Sequence, residues 1–133
     1  MVLNDQGECR RTQTGSRLGS LARALHRERR LRDDFLSEGL FGEPAWDILL
    51  DLFACEEEGR SVRISSACIG AAVPASTALR YLSEMERRGL VERCRDEVDR
   101  RGQFVRLSKE AREHMVRLLE RISAAREAGA SGL

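Results

Sequence analysis

The sequence predicts a mainly α-helical fold with a small β wing, a winged helix-turn-helix. Three observations carry this reading. Apolar residues recur at helical spacing in two long runs before residue 59 and one after residue 108. Two shorter helical segments meet at Val73-Pro74, where proline stops one helix and starts the next. Two strand-like runs, 90–94 and 104–107, flank a charged segment at 95–102. The resulting order is helix, helix, short strand, helix, helix, strand, strand, helix.

Residues 1–16 lack periodicity and read as a flexible arm. A helix is expected over 17–37, with Leu18, Leu21, Ala22, Leu25, Leu31, Phe35 and Leu36 on a narrow stripe suited to packing against a partner chain, and Arg27 to Arg30 on a solvated face. Gly39 and Gly42 break it. Pro44 then suits a first helical turn, and Trp46, Leu49, Leu50, Leu52 and Phe53 make a strongly apolar helix ended by Gly59. Three glutamates, 56–58, stand against the helix dipole at that end, and nothing in the local sequence explains them. Val62 and Ile64 suggest a short strand, and Ser65 or Ser66 a cap for a helix over 67–72. The helix 75–88 follows, with Ala78, Leu79, Leu82 and Met85 as its buried stripe and Gly89 as terminator. Ser108 caps the last helix, 109–127, and 128–133 reads as a flexible tail.

A chain of 133 residues supports one modest core. No run approaches the roughly 20 apolar residues that span a bilayer, and the polar first fifteen residues do not read as a signal peptide, so a cytoplasmic location is expected. The net charge of +1 conceals an asymmetry: residues 1–59 hold eight arginines against twelve acids, and residues 60–106 hold ten against six. Cys9, Cys55, Cys68 and Cys94 form no close pair, so no metal site or cofactor is expected. Cys55 and Cys68 lie among apolar neighbours, and the cysteines read most simply as structural or incidental, with a redox-active thiol at Cys9 or Cys94, beside arginines, as the competing reading. No nucleophile with its base, paired carboxylates or phosphate loop is present, and an enzyme is not expected.

From Pro44 to Met115 the chain resembles the MarR-type (multiple antibiotic resistance regulator) winged-helix proteins. The carrying residues are Ala75-Ser-Thr-Ala-Leu-Arg80, Leu82, Met85-Glu-Arg-Arg-Gly-Leu-Val91, Asp96-Glu-Val-Asp-Arg-Arg-Gly102, Val105, Leu107 and Ser108. The resemblance implies a transcriptional regulator, most simply a repressor, that binds double-stranded DNA as a homodimer. Residues 17–127 would form the DNA-binding domain, with 17–37 and 109–127 as dimerisation helices. It also implies a small-molecule inducer, of chemistry the sequence does not name.

In such a fold the helix 75–88 enters the major groove with its N-terminal residues foremost. Ser76, Thr77 and Arg80 are then the candidates for base and phosphate contacts, on a face opposite Leu79 and Leu82; a cap made by the two hydroxyls is the competing reading. In the wing, 95–102, Asp99 and Arg101 are two residues apart and share one side of an extended hairpin, so the carboxylate can brace the guanidinium for the minor groove. The D-x-R pair of the family falls on the same two residues. Arg95, Arg100 and Arg63 are candidates for phosphate contacts. The alternative is a winged helix that docks an acidic protein partner and binds no DNA.

Overall fold

The computed structural model describes residues 2–36, 42–95 and 102–131, with side chains described over 17–36, 42–95 and 102–129. Its elements in chain order are α1 (Val2–Phe35), α2 (Pro44–Glu57), β1 (Val62–Arg63), α3 (Ile64–Gly70), α4 (Ala75–Arg87), β2 (Val91–Arg95), β3 (Gln103–Leu107) and α5 (Lys109–Ser131). The three strands form an antiparallel sheet ordered β1-β3-β2, with Val62 opposite Val105 and Val91 opposite Leu107.

α2 is the central helix because it is apolar on more than one side. Ile48, Leu50, Leu52, Phe53 and Ala54 are all fully buried, as befits a helix covered by α1, α3, α4 and the sheet. Leu18 and Ala22 of α1, Ala78, Leu82 and Met85 of α4, Val91, Val105 and Leu107 of the sheet, and Met115 and Leu119 of α5 close the same core. α2 and α4 end alike. Gly59 (φ +77°) and Gly89 (φ +78°) take the left-handed conformation that a side chain disfavours. The amides after them, Arg60 and Leu90, donate to Cys55 and Met85 carbonyls, each at 2.9 Å, which satisfies the helix-end carbonyls. Ala72 takes the left-handed region without glycine's freedom (φ +58°), at a cost of about 1–2 kcal/mol, and closes the turn between α3 and α4.

Several elements differ from the sequence expectation. Helical backbone in α1 runs from Val2, with no break at residue 16; no proline interrupts that stretch. α3 starts at Ile64, three residues early, because Arg63 is the extended residue that turns the strand into the helix. Ser65 and Ser66 are exposed within α3 and cap nothing. α5 continues to Ser131.

Two charged stretches also differ. Arg29 is buried, not solvated: its Nε donates to Asp47 Oδ1, while Arg30 Nη2 donates to Asp47 Oδ2 at 2.9 Å. Two of the three glutamates find their partners far along the chain and the third close by. Glu56 accepts from the Leu107 amide at 2.9 Å and from Arg112 at 3.3 Å, buried Glu57 pairs with Arg112, and Glu58 pairs with Arg60 at 2.7 Å. The Arg112 guanidinium also lies 5.1 Å from the centre of the Phe53 ring. Desolvation pushes the Glu56 carboxyl above the usual glutamate range, partly offset by the Leu107 amide and Arg112.

Candidate nucleic-acid interface

The outward face of α4 is set by what its other face buries. Ala78, Leu82 and Met85 point into the core, which turns Ser76, Arg80, Ser83 and Arg87 outward at three- and four-residue spacing. Ser76 and Arg80 are exposed as expected, whereas Thr77 is half-buried on the flank of that strip. The capping alternative for the two hydroxyls does not hold. The N-cap of α4 is Pro74, which makes no side-chain capping bond, and the Pro74 carbonyl accepts the Ala78 amide at 3.0 Å.

Leu79 is a correction. Assigned by spacing to the buried stripe, it is 41 % exposed. It lines two adjoining grooves: one with Arg63, Ser65, Arg93 and Gln103, of about 380 Å³, and one with Ile64, Cys68, Ile69, Val73 and Ala75, of about 450 Å³.

The acidic residues of α4 divide its arginines. Glu84 takes Arg88 Nε at 2.7 Å and both Nε and Nη2 of Arg87, the first at 3.1 Å. Those bonds hold its carboxyl down to about 2, so it is ionised at any working pH. With Glu84 so engaged, Arg80, one turn before it, has no carboxylate partner among the described residues. Arg93 of β2 donates to Glu86 and to the Ser83 hydroxyl, both at 3.1 Å, and so ties the strand leading into the wing to α4. Arg93 and Ser83 carry no local signal in the sequence, because they meet only across the turn at Gly89.

Arg63 stands at the β1–α3 junction with its guanidinium 4.9 Å from the centre of the Phe104 ring. Arg95 is exposed at the end of β2, opposite Gln103. Asp99, Arg100 and Arg101 lie outside the described residues. The structure therefore places Ser76, Arg80, Arg63 and Arg95 at exposed positions on α4 and the approach to the wing.

Cys55 is also corrected. It is buried, yet Arg23 and Arg60 donate to its Sγ at 3.4 and 3.5 Å, and Asp51 Oδ1 lies 3.7 Å away. Desolvation, with Asp51, raises its thiol pKa despite the two guanidiniums. Among the described residues no cluster of metal-binding side chains occurs, and no helix is long and apolar enough to cross a membrane.

No family model and no curated protein matches the chain. Solved structures do. FabT of Streptococcus pneumoniae, in complex with DNA, is 25% identical, with a TM-score of 0.55 over 80% of this chain and 71% of that one. PcaV, a transcriptional regulator from Streptomyces coelicolor in complex with its natural ligand, is 26% identical, with a TM-score of 0.50 over 86% of this chain and 79% of that one. A variant of MepR from S. aureus, 19% identical, has a TM-score of 0.58 over 86% of this chain and 82% of that one, a likeness of fold. The chain has the fold of the MarR-type winged-helix transcriptional regulators.

Proposed function

We propose that the chain is a sequence-specific regulator of transcription that binds double-stranded DNA as a homodimer, most simply as a repressor. The carrying observation is the outward strip of α4, where Ser76 and Arg80 stand exposed and uncapped while Glu84 occupies Arg87 and Arg88. A guanidinium without a carboxylate partner among the described residues, at the first turn and a half of a groove-entering helix, suits a guanine edge, with discrimination of roughly 1–3 kcal/mol. Ser76 and Thr77 supply hydroxyls for phosphate or base. The wing takes the minor groove through Arg101 braced by Asp99, and Arg63, Arg95 and Arg100 take phosphates. The likeness to FabT, solved in complex with DNA, supports the same reading.

The dimer is assigned to helices 17–37 and 109–127. Leu31 and Phe35 of α1, Leu36 just after it and Leu118 of α5 are exposed large apolar side chains on those two segments. A two-fold dimer reads half-sites about 10–10.5 bp apart. A small-molecule inducer and a cytoplasmic location complete the proposal. PcaV, solved with its natural ligand, supports the former.

The test is selection of bound fragments from genomic DNA by the purified protein, with Arg80→Ala and Arg101→Ala alongside. The expected result is a two-fold-symmetric motif, with specificity relaxed by Arg80→Ala and affinity lowered by Arg101→Ala. No enrichment over random DNA at moderate salt would refute DNA binding and favour a protein partner.

A further inference from the structure

We infer that Leu79 is a specificity-determining residue that reads the 5-methyl group of a thymine in the half-site contacted by Arg80. The inference rests on the DNA-binding reading and deepens it.

A leucine with 41 % of its surface exposed on an otherwise polar helix face has no role in the core. The core stripe of α4 is complete without it, as Ala78, Leu82 and Met85 are each at most 2 % exposed. At about 100° per residue, Leu79 lies one step round the helix from Arg80, on the side that faces Arg63 and Arg93. Ser76 and Ser83, three before and four after in sequence as neighbours on the helix surface, flank it on the outward strip. The apolar side chain is thus set among hydroxyls and guanidiniums, the groups that contact phosphates and base edges.

The major-groove edge of DNA offers one apolar feature, the thymine methyl, and an apolar side chain on a reading helix is matched to it. Leu79 also borders an apolar groove. Ile64, Val73 and Ala75 line the apolar groove on its α3 side, and Ala75 leaves the first turn of α4 slim enough for close approach to the base pairs. The second groove, with Arg63, Ser65, Arg93 and Gln103, carries cationic and polar groups beside it, so that a DNA strand drawn toward those arginines brings its bases past Leu79. Thr77 also carries a methyl group, but it is half-buried on the opposite flank of the strip.

The experiment uses the full chain and the selected operator, with deoxyuridine replacing thymidine at one position at a time. This deletes the methyl group and nothing else. Wild-type protein is expected to lose about fourfold in affinity at one thymine per half-site, the worth of one buried methyl. Leu79→Ala should bind the thymine and uracil operators equally at that position, while keeping the loss caused by replacing the guanine read by Arg80. Thermal unfolding of Leu79→Ala close to wild type confirms that the variant is folded. The inference is overturned if no position distinguishes uracil from thymine, or if Leu79→Ala preserves the wild-type ratio at every position. Both results leave sequence-specific binding intact. Failure of wild-type protein to select any DNA would instead overturn the DNA-binding reading and this inference with it.

Discussion

Asp47→Ala isolates the most deeply buried charge of the described chain. The Asp47 side chain is 1 % exposed and its two oxygens accept from Arg29 Nε and, at 2.9 Å, from Arg30 Nη2. Removing the carboxylate leaves the buried Arg29 guanidinium without the acceptor of its Nε. Breaking a buried pair from one side costs about 3–5 kcal/mol. Two features of the site put the figure at the lower end. Glu43 Oε2 already lies 4.0 Å from Arg29 Nη1, and Arg30 is partly open to water. A loss of about 3 kcal/mol is expected, or about 10 °C in Tm for a chain of this length. Urea and thermal unfolding followed by far-ultraviolet circular dichroism measure it, at one fixed protein concentration because association shifts the midpoint. The double variant Asp47→Leu with Arg29→Met should regain most of the loss, since an apolar pair of similar volume avoids desolvating two charges. A single variant within about 1 kcal/mol of wild type would refute the reasoning, because water would then have to reach Arg29 in place of the carboxylate.

Two further outcomes follow from the carboxylates at the helix ends. The Glu56 pKa is raised in the folded chain by desolvation, so the folded state binds its proton more tightly than the unfolded state does. As pH rises from about 4.3 through the raised value, the unfolded chain ionises first and stability is lost; the stability of Glu56→Gln, relative to wild type, should therefore rise across that interval in paired denaturation curves, and parallel curves would count against it. Glu84→Gln releases Arg87 and Arg88 at the end of α4 and removes a negative charge; affinity for random DNA should increase and the slope of log affinity on log salt should steepen by about 1, read by fluorescence anisotropy, with an unchanged slope as the contrary result.

The elements with complete local patterns were legible in the sequence. α2 and α4 announce themselves by apolar spacing and by glycines at their ends, and β2 and β3 by alternation around a charged segment. The start of α3 was not legible, because Arg63 carries no capping side chain and acts by its extended backbone alone. The buried charges escaped for a different reason. Arg29 and Asp47 are 18 residues apart and Glu56 and Arg112 are 56 apart, so each looks like a solvated charge until the helices that carry them are brought together. Leu79 escaped because a flanking position of a helix belongs to core or surface according to where its neighbours stop, which helical spacing does not encode. Within the candidate site, Ser76 and Arg80 were legible from their phase opposite Leu82, although Leu79, expected beside Leu82, is exposed, while Arg93, which ties the strand to the helix, depends on a contact across the turn.

The Ser108 hydroxyl donates to the Gly89 carbonyl at 2.7 Å and accepts the Ala111 amide at 3.0 Å, and its own amide donates to the Leu90 carbonyl at 3.0 Å. The end of α4 and the root of α5 are therefore fastened to one residue. A tilt of α5 at its root is thereby coupled to the end of α4. In a two-fold dimer, where two such levers meet, a small change in the angle at which they cross would alter the span between the two reading helices, and with it the operator spacing that both can grip at once.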